Sequence, residues 1–267
     1  ENIGFLKRFR SLLDRYEDRT TVGEVGDGAR SLKTVAAYTS GDDKLHMCYT
    51  FDLLGPDFTA DHIRGCVEAF QKSVTDGWVC WAFSNHDVMR HVSRWGSLVA
   101  DHDSFAKQYA SLLMTMRGSV CLYQGEELGL TEADLAYQDL QDPYGIQFWP
   151  EFKGRDGCRT PMVWDAGHAL AGFSTAEKGW LPIPPEHKQR AVSAQQSDET
   201  SVLEHYRRFL TFRKLHPAFA KGRIEFQPVV GTVSSYTRTL GNETVLCLFN
   251  LSAEPSVVTL PQGDWQA

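Results

Sequence analysis

The spacing of four β-rich runs constrains this chain more than any other feature. They start near residues 20, 44, 78 and 118, as Thr20–Val25, Lys44–Phe51 (KLHMCYTF), Trp78–Phe83 (WVCWAF) and Gly118–Tyr123 (GSVCLY). Between them lie stretches with apolar residues at helical intervals: residues 30–38, 60–75 (Ile63, Val67, Phe70, Val74) and 103–117 (Phe105, Tyr109, Leu112, Leu113, Met116). A further amphipathic helix is expected over 3–17, from Phe5, Leu6, Phe9, Leu12, Leu13 and Tyr16. Nearly continuous apolar strands suit a sheet buried on both faces, and repeated strand–helix units require a parallel sheet. The chain has neither GxGxxG nor GxxxxGK[ST], which favours a (β/α) barrel over an open doubly wound sheet.

The pattern breaks after residue 128. About 70 residues rich in Pro, Gly, Asp and Trp precede the next helical pattern at 200–215 (Val202, Tyr206, Phe209, Leu210, Phe212). Loops of that length are usually functional or hold small elements of their own. From Lys221 the character changes to short β-rich runs near 223–228, 232–239, 243–250 and 256–260. The expected fold is α/β: the second half of a (β/α)8 barrel over 1–220, with a long pocket loop at about 128–200. A small, incomplete antiparallel β-sandwich domain is expected over 221–267. Four βα units are half a barrel, and an open half exposes two hydrogen-bonding edges and an apolar concave face. An upstream half is therefore expected, cut away or supplied as a separate chain; the opening Glu1-Asn2-Ile3-Gly4 reads as the start of an excised piece.

Composition narrows the partners. With 27 Lys+Arg against 34 Asp+Glu the formal charge is −7, and the longest basic clusters are pairs such as Arg207-Arg208. Nucleic acid is not expected as a partner, because phosphate binding needs clustered positive charge. No stretch approaches the ~20 apolar residues of a membrane span, so no membrane partner is expected either. The six cysteines (48, 66, 80, 121, 158, 247) are scattered without a CxxC, which fits free thiols and a cytoplasmic location.

In a parallel barrel the functional side chains sit at the carboxyl ends of the strands. Those ends carry Glu24, Tyr49 to Asp52, Asn85-His86-Asp87, and Gln124 to Glu127. Glu24 and Asp87 are thus two carboxylates on one rim. Glycosyl transfer uses paired carboxyl groups, one protonating the leaving oxygen and the other attacking or stabilising the anomeric carbon. Each also has an ordinary structural reading: Glu24 as a helix N-terminal charge or ion-pair partner, Asp87 as a capping residue beside an incidental His. The residues alone leave both open. Trp78, Trp81 and Phe83 read as core rather than as sugar platforms. The histidines have no HExxH or other metal spacing, no GxSxG elbow occurs, and no metal ligand is assigned in this chain.

Four blocks carry a family resemblance. Thr21-Val22-Gly23-Glu24-Val25 and, about 60 residues later, Phe83-Ser84-Asn85-His86-Asp87-Val88-Met89-Arg90 resemble blocks of the α-amylase family, glycoside hydrolase family 13. Tyr123-Gln124-Gly125-Glu126-Glu127-Leu128-Gly129 and Arg155-Asp156-Gly157-Cys158-Arg159-Thr160-Pro161-Met162-Val163-Trp164-Asp165 resemble its α-glucosidase and oligo-1,6-glucosidase branch. The wording from Trp81 to Trp95 is most similar to proteobacterial α-glucosidases. The resemblance covers essentially the whole chain, with the four blocks in order.

By that resemblance Glu24 is the general acid/base, and Asp87 is the further carboxylate that binds sugar hydroxyls and supports the oxocarbenium-like transition state. His86 is the neighbouring hydroxyl ligand, Arg155 belongs to the loop closing the pocket around the terminal glucose, and Tyr49 and Phe51 lie near the leaving-group side. The family's nucleophile is an Asp in a block reading roughly G-F-R-x-D, which this chain lacks. The resemblance therefore implies a retaining α-glucosidase acting on short oligosaccharides, by hydrolysis or transfer, whose nucleophile comes from the missing half. This chain alone is expected to be inactive. No cofactor is expected in it, and a structural calcium or magnesium ion is left open for the upstream half. The competing expectation is a non-catalytic carbohydrate-binding or assembly subunit of the same fold. An enzyme of phosphorylated sugars fits less well, for want of a phosphate loop.

Overall fold

The computed structural model describes residues 2–96, 99, 101–228 and 231–266. Helix α1 (Ile3–Leu13) leads to strand β1 (Val22–Val25), helix α2 (Ser31–Thr39), strand β2 (Met47–Thr50) and helix α3 (Ala60–Ser73). Strand β3 (Cys80–Trp81), helices α4 (His91–Trp95) and α5 (His102–Thr115), and strand β4 (Ser119–Val120) follow. β1 and β2 pair in parallel with Glu24 opposite Tyr49, and β3 and β4 pair in parallel with Cys80 opposite Ser119. A parallel bridge from Cys48 to Val79 connects the two pairs, giving the order β1-β2-β3-β4. All four sequence-expected strands are present, but β3 and β4 keep a regular ladder over only two residues each.

The helices start and pack as their sequences dictate. Thr59 caps α3 by accepting from the His62 amide, and Ile63, Val67 and Phe70 turn inward. Asp101 caps α5 by accepting from the Asp103 and Ser104 amides. Trp81, Phe83, Trp95, Phe105 and Tyr109 then form one aromatic core, with Phe83 and Trp95 edge-to-face at 5.0 Å. Trp81 and Phe83 are core, as expected; Trp78 is half-buried and its indole donates to Ser119 Oγ at 2.9 Å. α1 stops at Leu13, short of the expected residue 17; within it only Leu6 is buried, while Phe5, Phe9 and Leu12, and Tyr16 beyond its end, remain exposed.

The long segment after β4 is a structured insertion. It holds helices α6 (Pro143–Gln147), α7 (Pro185–Gln189) and α8 (Val192–Gln195) before α9 (Val202–Leu215), which packs on α5. Leu128, Leu130, Met162, Val163, Ala171, Ala191 and Leu203 give it a core of its own. After α10 (Ala218–Lys221) come β5 (Arg223–Phe226), β6 (Val233–Leu240) and β7 (Glu243–Asn250), an antiparallel sheet in that order. The expected antiparallel sheet is present, but no second sheet of a sandwich is formed among the described residues. The described residues form one three-stranded sheet, and 256–260 is not a strand. Residues 256–260 are exposed or half-buried, with Val257 at 93 %, and pack on no second layer among the described residues. The sheet is tied to the rest: buried Arg238 donates to Thr115 O and to Gly222 O, and Tyr236 Oη lies 2.6 Å from Thr115 Oγ1. All six cysteines are free thiols, and no helix among the described residues is long and apolar enough to cross a membrane.

Candidate active site

The ends of β1, β2 and β3 converge through one amide. Asn85, 5 % exposed, follows β3; its Nδ2 donates to Glu24 Oε1 at 3.4 Å and to Tyr49 Oη at 3.5 Å. Its Oδ1 accepts from the amides of Asp87 (2.9 Å) and Val88 (3.1 Å), folding the chain back so that His86 and Asp87 face β1. Glu24, His86 and Asp87 thereby present polar atoms that all lie within 4.8 Å of one another. Burial holds the Tyr49 hydroxyl far above the ordinary phenol range, so it is a neutral wall of the site. Phe51 lies one step outward, its ring centroid 6.4 Å from that of Tyr49 and its edge against Gly26, where a Cβ would meet it at 3.0 Å.

Arginines from the long insertion close over this cluster. Arg155 Nη1 donates to Asp87 Oδ1 at 3.0 Å, and Arg159 Nη2 donates to the same oxygen at 2.8 Å. Arg159 Nε also donates to His86 O at 2.7 Å, and His86 Nε2 lies 3.6 Å from Asp87 Oδ1. Oδ1 of Asp87 is thus crowded with donors, while Oδ2 has no protein donor among the described residues. The turn carrying both arginines is held from below: Cys158 O accepts from Arg90 Nη2 (2.9 Å), Tyr123 Oη (3.0 Å) and Gln124 Nε2 (3.5 Å).

Glu24, His86, Asp87 and Arg155 come together as the sequence suggests, with Tyr49 in the wall and Phe51 at the margin. The end of β4 does not join them. Gln124 is spent on Cys158 and Thr160 carbonyls, and Glu126 is buried beside His91, 3.6 Å from its Nδ1. Three participants were missed as site residues. Asn85 and Arg159 lie inside the quoted blocks, so only their roles were unread. Asp142 had just one local signal, an Asp-Pro pair that opens α6, and its contact with Arg155 is invisible without coordinates.

Glu24, His86 and Asp87 could also offer ligand atoms to a cation. Two guanidinium groups already sit on Asp87, however, placing positive charge where a metal would need to be. The cluster suits hydroxyl groups better: an exposed acid, an imidazole, and a carboxylate with one oxygen pinned.

Parallel strands alternating with helices and delivering two carboxylates and an imidazole to one rim define an α/β protein with a carboxylate-centred site. The chain belongs to the α-amylase family, matching its "Alpha amylase, catalytic domain" over residues 1–222. A probable alpha-glucosidase of Rhizobium meliloti is 57% identical over 98% of this chain and 47% of its own length. An oligo-1,6-glucosidase of Parageobacillus thermoglucosidasius is 30% identical over 94% of this chain and 50% of its own length. Among solved structures, the alpha-glucosyl transfer enzyme XgtA superposes with a TM-score of 0.92 at 49% identity, covering 99% of this chain and 49% of that one. The trehalulose synthase MutB of Pseudomonas mesoacidophila gives 0.83 at 27% identity, over 98% of this chain and 52% of its own. These likenesses imply a fragment of the eight-stranded barrel. The chain spans about half the length of the relatives it matches.

Proposed function

We propose that this chain is the second half of the barrel, up to about residue 220, and part of the following β domain of a retaining α-glucosidase. The enzyme releases or transfers terminal α-linked glucose from short oligosaccharides. Glu24 protonates the glycosidic oxygen and then activates water or a second sugar. Asp87 binds sugar hydroxyls through its free oxygen and stabilises positive charge at the anomeric centre. His86 and Arg155 hold the terminal glucose, and Tyr49 and Phe51 flank the departing sugar. The covalent step needs a further carboxylate about 5 Å from Glu24 across the sugar, and an N-terminal half supplies it.

The observation that carries this reading is the clustering of Glu24, His86 and Asp87 within 4.8 Å at adjacent strand ends. A binding or assembly subunit would have no use for an acid, an imidazole and a doubly clamped carboxylate at one point. Likeness to an alpha-glucosyl transfer enzyme supports transfer beside hydrolysis. The deciding experiment joins this chain to the remaining portion and follows maltose with and without a second sugar as acceptor. Release of glucose is expected, with some transfer product; an assembled, folded protein that leaves maltose intact supports the non-catalytic subunit instead.

A further inference from the structure

We propose that Asp142 is a positioning residue that aims Arg155 at Asp87; the inference rests on the α-glucosidase reading. The Asp142 side chain is fully buried and spends both oxygens on the arginine. Oδ2 accepts from the Arg155 amide and from Nε, each at 2.8 Å, and Oδ1 accepts from Nη2 at 2.9 Å. A side-on pair of parallel bonds fixes the plane of a guanidinium as well as its position. With Nε and Nη2 taken, Nη1 is the corner that remains, and it donates to Asp87 Oδ1 at 3.0 Å.

The anchor is itself immobilised. Asp156 Oδ2 accepts from the amides of Gln141 (2.6 Å) and Asp142 (2.7 Å). Gly154, at φ +79°, lets the chain pass so closely that a Cβ there would fall 2.8 Å from Gly145 Cα. The Tyr144 ring covers the guanidinium at 5.2 Å. An arginine side chain has many rotamers to lose, and here its ordering is completed on folding rather than when substrate binds. The charges matter too. Asp142 and Asp87 against Arg155 and Arg159 sum to zero; without Asp142 the group would be net positive beside a centre where positive charge develops.

The test uses the assembled enzyme and a cycle of Asp142→Ser, Arg155→Met and both together. Serine keeps an oxygen to cap α6 at the Tyr144 amide but cannot form the fork. Asp142→Ser is expected to lower kcat/KM on maltose at least tenfold with the fold intact by circular dichroism. The double variant should then match Arg155→Met within about twofold, since Asp142 acts through that arginine. Losses that multiply across the cycle, or full activity in Asp142→Ser, overturn the proposal. If Asp142→Ser does not fold, Asp142→Asn takes its place in the same cycle. A second readout does not need turnover: the Arg155 Nε–H signal in ¹⁵N spectra should exchange slowly in the parent and rapidly in the serine variant. Equal exchange in both refutes the anchor. A wild-type assembly that releases no glucose instead refutes the glucosidase reading and the catalytic half of this inference, while the exchange measurement still decides whether Asp142 holds Arg155.

Discussion

Glu24 is exposed, and its carboxylate meets only the Asn85 amide at 3.4 Å and the neighbouring Tyr49 hydroxyl among the described residues. Replacing it by Gln should therefore change stability by no more than about 0.5 kcal/mol. A proton donor, the role proposed for Glu24, is needed most when the leaving group is poor. Glu24→Gln in the assembled enzyme is expected to abolish most turnover of maltose while retaining formation of the glucosyl intermediate from an activated aryl glucoside, measured as a burst of phenol. An equal loss in burst and maltose rates would remove the acid role. Asp87 differs because two guanidinium groups already attend it, so Asp87→Asn leaves Arg155 and Arg159 facing each other across a neutral amide. A fall in kcat of roughly 10²–10³ is expected, the scale found when one electrostatic stabiliser is removed from a reacting centre. Near-normal kcat would take Asp87 out of the mechanism. The rim position of both residues was legible in the sequence because strand ends follow from short-range patterns, while the roles proposed for them came from the family resemblance alone. Asp142 was not, because its meaning depends on a fork formed with a residue 13 positions on.

At the level of elements, the longer helices were legible because amphipathic spacing and capping are local: α3 and α5 begin where Thr59 and Asp101 place them, whereas short helices such as α4 and α10 went unread. The two-residue ladders of β3 and β4 were not, since an apolar run marks burial rather than pairing. The insertion from 128 to 200 was the least legible. Its order comes from buried polar anchors scattered through it, and His187 is one. This imidazole is fully buried, with Nε2 2.9 Å from Thr131 O and Nδ1 3.4 Å from Thr160 Oγ1. Burial first, and then the charge of Arg90, lower its pKa to about 4. A depressed histidine is neutral when folded but takes up a proton in the unfolded chain below its ordinary pKa near 6.5. Its packing is thus fully effective above about pH 6.5 and is lost progressively as pH falls toward 4, by a total of ~3 kcal/mol. Denaturant midpoints between pH 7.5 and 4.5 should show that decline, and His187→Gln should flatten it at a lower plateau. An unchanged slope in the variant would assign the acid sensitivity elsewhere.

On the scale of the whole molecule, the four parallel strands make a run with two ends, and β1 pairs only with β2 among the described residues. A closed barrel gives every strand two neighbours, so both end strands carry unused ladder groups. Phe5, Phe9 and Leu12 of α1, and Tyr16 just beyond it, add exposed apolar surface. Unsatisfied edges and apolar rings together favour association with whatever completes the ladder. The Rhizobium meliloti relative, 57% identical and about twice as long, offers a donor for that complement. Its uncovered portion, added to this chain, is expected to yield a one-to-one complex by light scattering and to raise the unfolding midpoint. It should also produce glucose release from maltose that neither piece shows alone. Activity should rise with the concentration of complex and vanish with Glu24→Gln in this chain, which ties the gain to the rim rather than to the added piece. A chain that stays monomeric, unfolds cooperatively and ignores the complement would mean that its strand edges are closed by its own residues, and the half-barrel proposal would fall with that result.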